Sequence, residues 1–153
     1  MFNFPLFLDL TGKPVVVIGG GTIASRKISK LTAAGANIVV VAPEVKEEVR
    51  ALYEKDEIHW VKDVCRPDYL SSAFLIVSAS GDPEACRIIK ETVHPHQLLN
   101  AADDPENGNA AFPASFQEGE YHIAVSTEGH SPSAAKDLKQ RLRNLVRDII
   151  VKK

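Results

Sequence analysis

The sequence has few sulfur-containing residues, almost no net charge and no long apolar run. Its 153 residues include two cysteines and one methionine, so no disulfide framework is expected. The 18 basic and 20 acidic side chains leave a formal charge of -2, which argues against a general polyanion binder. The apolar runs are far shorter than the roughly 20 residues that cross a bilayer. We therefore expect a cytoplasmic protein that binds neither nucleic acid nor membrane.

Short β-branched runs alternate with longer amphipathic segments over the first hundred residues. This alternation is typical of βαβ units around a parallel sheet. Helices are predicted over Thr22–Ala34, with Gly35 ending the helix, and around Val49 and Ile88. The fold class is predicted to be α/β, with a Rossmann-like doubly wound parallel sheet. Five nearly continuous apolar runs are the predicted strands, covered on both faces: Val15–Ile18, Ile38–Val41, Ile58–Val61, Phe74–Ser78 and Gln97–Asn100.

The pattern changes after Asn100, where the segment 103–109 has the composition of a turn. Two strands, Ala110–Phe116 and Tyr121–Thr127, are predicted to form a hairpin. A final helix is expected to begin at Ser131-Pro132, with the serine as its cap. We therefore predict a Rossmann-like domain over residues 1–106 and a small α+β segment over residues 107–153. The last helix carries an apolar stripe that must pack on the first domain or on a second chain: Leu138, Leu142, Leu145, Val146, Ile149 and Ile150.

A glycine-rich turn follows the first predicted strand and opens the first predicted helix. In this GxGxxA pattern, Gly19 permits the tight turn and Gly21 lets a pyrophosphate approach the backbone. Ala24 allows the helix to pack closely, while the N-terminus of the helix faces the phosphates. Dinucleotide binding is the favoured interpretation, and a glycine-rich turn that binds nothing is the alternative.

The second predicted strand ends in Ala42-Pro43 rather than in the usual acidic residue. Glu44, one step beyond, has two open interpretations: it contacts the ribose hydroxyls of a dinucleotide, or it stabilises the start of the following helix. No arginine follows the strand to accept a 2′-phosphate. NAD is therefore the expected cofactor, in preference to NADP.

Two aspartates, Asp103 and Asp104, follow the fifth predicted strand. Loops at the carboxyl ends of parallel strands flank the ligand crevice of an open α/β sheet, and a carboxylate there can take up a proton as hydride leaves the substrate. The alternative is that both residues only form a turn.

Other polar residues give weaker evidence of a functional site. The pair His94 and His96 is interpreted as part of a solvated loop, since no third ligand or zinc spacing accompanies it. Thr127, Ser131 and Ser133 are interpreted as carboxylate-binding or helix-capping residues, with capping favoured for Ser131. Seven basic residues over 136–153 form either a solvated face or an attraction for a polycarboxylate substrate.

The chain resembles the dehydrogenase domain of the siroheme synthase family, also called precorrin-2 dehydrogenases. The resemblance covers essentially the whole chain, and the combination of motifs is more specific than the glycine turn alone. The matching segments fall in the order and spacing of the family: Phe4–Leu10, Val17–Lys27, Val41–Glu44, Asn100–Pro105, Phe112–Ala114 and Ile123–Pro132.

This resemblance implies NAD-dependent oxidation of precorrin-2, a polycarboxylate tetrapyrrole, to sirohydrochlorin. It implies cofactor contacts at the glycine turn, at Thr22 and Ile23, and at Pro43 and Glu44. The essential acid of the family follows the fifth strand in an Asn-x-x-Asp-x-Pro pattern. By that spacing the acid is Asp103 rather than Asp104.

The resemblance also implies that Thr127 lines the tetrapyrrole pocket. The family dimerises by exchanging its hairpin and helix region, so a homodimer is expected through residues 107–153. Longer members continue with a further helical domain, and the segment is expected to be truncated relative to them.

Two alternative functions remain. Some family members also insert ferrous iron, so the chain could be a bifunctional dehydrogenase and sirohydrochlorin ferrochelatase. A non-catalytic module that holds a tetrapyrrole or a nucleotide would instead use Asp103 only to shape a turn. A short-chain dehydrogenase is set aside, because no tyrosine is followed four residues later by the lysine of a YxxxK pair.

Overall fold

The computed structural model describes residues 2–151 and divides the chain into two compact units. The larger unit, Leu6–Ala110, carries the parallel sheet. The smaller unit consists of the chain from Ala111 onward, as far as it is described, and the described residues up to Pro5.

The larger unit has a five-stranded parallel sheet in the order β3-β2-β1-β4-β5. This order confirms the predicted doubly wound α/β fold, in which successive strands are added first to one side of β1 and then to the other. The strands are β1 (Pro14–Ile18), β2 (Asn37–Val41), β3 (His59–Val61), β4 (Leu75–Ser78) and β5 (Leu98–Ala101).

The sheet is covered by helices whose bounds follow the predicted periodicity. All four residues of β4 are buried, as expected for a strand with helices on both faces. A one-turn helix, α3, was not predicted from the sequence, because four residues give no helical periodicity. The helices are α1 (Thr22–Ala33), α2 (Glu47–Glu54), α3 (Pro67–Leu70) and α4 (Pro83–Thr92).

Helix α1 ends where the sequence predicts. Gly35 has a φ of 72°, in the left-handed region that glycine adopts without steric cost. Its N–H donates to the Thr32 carbonyl at 2.9 Å, and the Ala36 N–H donates to the Leu31 carbonyl at 3.2 Å. These bonds satisfy carbonyl groups that the last turn would otherwise leave open.

Alternate residues of each strand point to opposite faces, which decides where side chains at the strand ends lie. One face of the sheet packs against α3 and α4 in a cluster that includes Val16, Ile76, Leu70 and Ile89. Ser78 follows Ile76 by two residues and therefore points to the α4 face.

The smaller unit is a hairpin and a long helix. Strands β6 (Ala114–Glu118) and β7 (Tyr121–Val125) pair antiparallel, with Glu118 opposite Tyr121. Helix α5 (Pro132–Val151) packs on them, and Arg143 and Arg147 both bond to Glu118, at 3.3 and 3.0 Å. The hairpin and the helix were both predicted from the sequence.

The first hairpin strand begins later than the predicted Ala110. Pro113 has no N–H to donate to a ladder and restricts Phe112 before it. The preceding residues instead bond to β5: the Asn109 and Ala110 N–H groups both donate to the Leu99 carbonyl at 3.0 Å. The turn predicted over 103–109 contains a short 3₁₀ turn, Pro105–Asn107.

Candidate functional site

The glycine turn after β1 is held against two neighbouring strand ends. Gly19 has a φ of 116° and its N–H donates to the Val41 carbonyl at 3.0 Å. A Cβ on Gly19 would lie 2.5 Å from the Ala79 carbonyl oxygen. Only glycine fits here, because this φ and this approach both exclude a side chain.

The next two glycines differ in their surroundings. A Cβ on Gly20 would meet the Glu44 carbonyl oxygen and lie 2.8 Å from Val45 Cα. The Lys46 N–H also donates to the Gly20 carbonyl at 3.0 Å. Within the described part of the chain, a Cβ on Gly21 would meet no atom within 4 Å. Gly20 therefore packs against protein, whereas Gly21 borders open space.

That space is a cavity of about 430 Å³, called here the glycine cavity. Three carboxylate residues, Glu44, Asp63 and Asp82, stand in its wall. The Tyr69 hydroxyl and the Val64 N–H donate to Asp63 and hold the pKa of its carboxyl below the usual value. The other lining residues are Ile18, Gly19, Gly20, Gly21, Val41, Ala42, Pro43, Val64, Ala79 and Ser80.

The start of α1 is suited to an anion. Gly21 caps the helix without a side-chain hydrogen bond, and the first turn contains no acidic residue. The first N–H groups of a helix have no intrahelical partner and carry partial positive charge. Together with the open side of Gly21, this arrangement fits the pyrophosphate of a dinucleotide.

Not every predicted cofactor residue lines the glycine cavity. Pro43 and Glu44 line it, while Thr22 and Ile23 lie in the first turn of α1 outside its wall. Ala24 has no exposed surface, so its side chain serves the close packing of α1. The cofactor roles of these residues stay predictions.

Asp103 follows β5 and has one bound and one unbound carboxylate oxygen. Its Oδ2 accepts from the Ser78 hydroxyl at 2.9 Å and from the Gly81 N–H at 3.2 Å. Its Oδ1 is buried and has no hydrogen-bond partner in the described part of the chain. An unsatisfied buried oxygen is costly and rare, so it calls for a functional explanation.

Asp104 has a different environment. Its Oδ2 accepts from the Asn107 side-chain amide, and its carbonyl accepts from the Asn107 N–H at 3.1 Å. These bonds close the 3₁₀ turn after β5. The sequence left open whether both aspartates only form a turn, and these contacts show that Asp104 takes part in one.

A second cavity, of about 280 Å³, borders Asp103 on the α4 side and is called the Asp103 cavity. Ser78 and Cys86 line it with Asp103. Burial, followed by the charge of Asp103, raises the pKa of the Cys86 thiol. The thiol is therefore kept protonated beside the carboxylate.

The loop between β4 and α4 connects the two cavities. Ala79 and Ser80 line the glycine cavity, and the Gly81 N–H bonds to Asp103. The glycine turn and Asp103 are thus both in contact with residues 79–81.

Lys27 on α1 contacts β5 on the opposite face of the sheet. Its Nζ donates to Asn100 Oδ1 at 2.7 Å, and the Asn100 amide donates to the Ala110 carbonyl at 2.8 Å. Burial, with the charges of Arg26 and Lys30, lowers the pKa of Lys27 to about 8. Both residues lie in the sequence motifs, but their contact was not predicted, because it depends on how α1 lies across β5.

Thr127 lies in the smaller unit, between β7 and α5. Its hydroxyl donates to the Ser131 carbonyl at 3.0 Å and accepts from the Ser131 N–H at 3.1 Å. Ser131 Oγ accepts from the Ala134 N–H at 3.3 Å, as predicted for a helix cap. The structure thus shows Thr127 closing the turn before α5, and its substrate role stays a prediction.

The structure shows contacts for the histidine pair and for part of the basic segment. The rings of His94 and His96 stack with centroids 5.4 Å apart. Within residues 2–151, no group of three or more His, Cys, Asp and Glu residues could hold a metal ion. Arg141 pairs with Asp137 at 2.9 Å, while Lys152 and Lys153 lie outside the described residues. None of the helices in that range is long and apolar enough to span a membrane.

Comparison with known proteins accords with this geometry. The family model described as "Putative NAD(P)-binding" matches residues 6–114. Precorrin-2 dehydrogenase of Bacillus subtilis is 35% identical over 143 residues, which cover 93% of this chain and 88% of the relative. The chain belongs to the precorrin-2 dehydrogenase family. The resemblance seen in the sequence motifs is thereby confirmed.

A solved structure supports the family assignment. "SirC, precorrin-2 dehydrogenase" is 35% identical and superposes with a TM-score of 0.84, over 93% of this chain and 70% of that one. Siroheme synthase of Neisseria meningitidis serogroup C is 36% identical over 147 residues. Those residues are 95% of this chain and 31% of that family member, so the chain spans about a third of the siroheme synthase.

Sequence reasoning missed Ser78, Gly81 and Cys86 around Asp103. Ser78 reads as the last residue of an apolar strand and Gly81 as part of a turn. Neither has a motif of its own. The signal that could have found Ser78 is its position: a polar residue at the carboxyl end of a buried strand next to β5.

Proposed function

We propose that this chain oxidises precorrin-2 to sirohydrochlorin with NAD. The family supplies the substrate class, because relatives named precorrin-2 dehydrogenase match almost the whole chain. The observation that carries the proposal is Asp103, whose buried Oδ1 has no partner among residues 2–151 and which shares the loop 79–81 with the glycine cavity.

The residues of the glycine cavity fit a dinucleotide. Gly21 and the first N–H groups of α1 would hold the pyrophosphate, and Glu44 would accept from the ribose hydroxyls. Glu44 and Asp82 are acidic groups of the wall, whereas Asp63 is paired with Arg66 at 3.0 Å. A 2′-phosphate would be repelled by the Glu44 and Asp82 carboxylates, which favours NAD over NADP. NAD, when bound, accepts hydride at its nicotinamide ring.

Asp103 would act as the base. Oxidation of precorrin-2 removes two hydrogens, one as hydride to NAD and one as a proton. A carboxylate has lone pairs available for that proton. We assign the proton to the Asp103 carboxylate, whose Oδ2 is held by the Ser78 hydroxyl and the Gly81 N–H.

Thr127 and a second copy of the chain complete the proposal. Thr127 is assigned to the tetrapyrrole pocket by its position in the family motif. Helix α5 exposes Leu138, Leu145 and Ile149 at 47, 55 and 54%, and an exposed apolar stripe on a helix marks a contact surface. We assign that surface to a homodimer contact. The cytoplasmic location stays a prediction from the sequence.

The test compares Asp103→Asn with Asp104→Asn. Purified proteins are incubated anaerobically with precorrin-2 and NAD, and NADH formation is followed by absorbance. We expect Asp103→Asn to lose at least about a hundredfold in kcat, in the range that general bases contribute. Asp104→Asn should stay within about threefold of the wild type, because Asp104 closes a turn.

The same assay separates the alternatives. Full turnover by Asp103→Asn would contradict the catalytic role of Asp103. Tetrapyrrole binding without NADH formation by the wild type would favour the holding module. Addition of ferrous iron after the first reaction tests the ferrochelatase alternative, which stays a prediction.

A further inference from the structure

Ser78 stands at the end of strand β4, which lies between β1 and β5, and its hydroxyl is in contact with the proposed base. It is 2% exposed, and it is the polar residue of an otherwise apolar strand. A buried hydroxyl is costly unless it is hydrogen-bonded. The Ser78 hydroxyl donates to Oδ2 of Asp103 at 2.9 Å. This one hydrogen bond satisfies the buried hydroxyl and also holds the Asp103 carboxylate.

Strand register places the two residues near each other. Ser78 pairs with Ala101 across the parallel β4–β5 ladder. Asp103 lies two residues beyond Ala101 and therefore follows the same alternation of faces. Both side chains reach the α4 face, where they line the Asp103 cavity together with Cys86.

The Ser78 and Gly81 donors contact the same oxygen of the Asp103 carboxylate. Ser78 and the Gly81 N–H both donate to Oδ2. The Cys86 thiol, which lines the same cavity, is only a weak hydrogen-bond donor. Oδ1 keeps no hydrogen-bond partner among the described residues. Two donors on one oxygen fix the rotation of the carboxylate, which determines the direction in which the other oxygen points.

We propose that Ser78 is a positioning residue that binds Oδ2 of Asp103 and so sets the orientation of the carboxylate that accepts the proton. The inference rests on the proposed function, since it assumes that Asp103 is the base. In the step itself, a substrate bond to hydrogen breaks heterolytically and a new O–H bond forms at the Asp103 carboxylate, while hydride passes to NAD. Ser78 touches neither substrate nor cofactor and acts through Asp103.

The first experiment is steady-state kinetics of Ser78→Ala, Ser78→Thr and the exposed control Ser71→Ala. Loss of one hydrogen bond to a charged group corresponds to roughly a tenfold change. We expect kcat of Ser78→Ala to fall about tenfold, with KM for precorrin-2 and Kd for NAD within about twofold. Ser78→Thr keeps the hydroxyl and should recover most of the lost kcat.

The proposal would be overturned if Ser78→Ala had the same kcat as Ser71→Ala. It would also be overturned if Ser78→Ala and Ser78→Thr lost kcat equally although both proteins unfold at the wild-type temperature. A fall in NAD affinity that matches the fall in turnover would also contradict it, since it would mean a general distortion of the glycine cavity.

A crystal structure of Ser78→Ala gives a readout that does not depend on turnover. We expect the Asp103 carboxylate to rotate or to occupy more than one rotamer once the Ser78 donor is gone. An Asp103 that keeps its wild-type orientation in this variant would overturn the positioning role. An inactive wild type, by contrast, would contradict the proposed function, while the crystal structure would still decide whether Ser78 orients Asp103.

Discussion

At the scale of single residues, the adjacent glycines Gly20 and Gly21 differ in the space around their Cα atoms. Gly20 has no room for a side chain because the backbone of Glu44 and Val45 lies against it. Gly21 has room, and it adopts an extended conformation with a φ of -79° that alanine also adopts. A glycine where alanine would fit is best explained by a ligand that needs the space.

This difference predicts opposite effects of adding one methyl group. Gly21→Ala should lower the free energy of unfolding by less than about 1 kcal/mol, because alanine is a poorer helix cap than glycine. It should raise the Kd for NAD about tenfold or more, because the methyl group occupies the cavity. Thermal unfolding and calorimetric titration with NAD measure the two quantities.

Gly20→Ala is the matched comparison. Its added Cβ meets backbone rather than a flexible side chain, so the protein should lose about 1–3 kcal/mol of stability. Unchanged NAD affinity in a folded Gly21→Ala protein would contradict the placement of the pyrophosphate at that residue.

At the scale of elements, Lys27 and Asn100 join α1 to β5. The contact brings a charged group into a half-buried position, where burial lowers the pKa of Lys27 to about 8. In an unfolded chain the amine keeps its ordinary pKa of 10.5. The folded state therefore releases this proton at lower pH than the unfolded state does.

The consequence is a rise in stability with pH. Between about pH 8 and pH 10.5 the unfolded state binds more protons at Lys27, so the free energy of unfolding increases across this window. Across this pH window, we expect the free energy of unfolding of the wild type to rise by about 1 kcal/mol relative to that of Lys27→Met, after allowing for solvent screening.

Urea unfolding at pH 7.5, 9 and 10.5 measures this shift, because the subtraction cancels other titrating groups. The exposed lysine variant Lys62→Met is the control and should show no pH-dependent difference. A constant difference between wild type and Lys27→Met across the three pH values would contradict the lowered pKa.

At the scale of the whole molecule, the smaller unit buries one side of α5 and leaves another side exposed. Ala135 is 6% exposed, whereas Leu145 is 55% exposed. A hairpin with one helix is a small core. The exposed stripe therefore needs a second surface to cover it, and we have assigned it to a homodimer.

The assignment predicts a dimer that one substitution breaks. Leu145→Glu introduces a charge into the proposed contact and should give a monomer by light scattering, because burying an unpaired carboxylate is costly. Gln140→Glu adds the same charge at an exposed polar position of α5 and should leave the dimer intact. A monomeric wild type at assay concentration would contradict the proposal.

Local sequence patterns predicted the elements of the fold with few errors. Buried parallel strands are continuous apolar runs, and helices show a period of 3.6, so both can be recognised within a short window. The glycine turn was recognised in the same way, because its function depends on consecutive residues. The late start of β6 shows the limit, since residues before Pro113 bond to β5 rather than to the neighbouring hairpin strand.

The sequence by itself determined the α/β class, the order of the parallel strands and the position of Asp103 after the fifth strand. Only the tertiary structure decided that Ser78 and Gly81 bind one oxygen of Asp103, and that Lys27 reaches Asn100. Ser78 and Asp103 are 25 positions apart, and Lys27 and Asn100 are 73 apart. Such contacts depend on strand register and on which face each side chain occupies. Those properties arise only when the strands pair and the helices pack on the sheet.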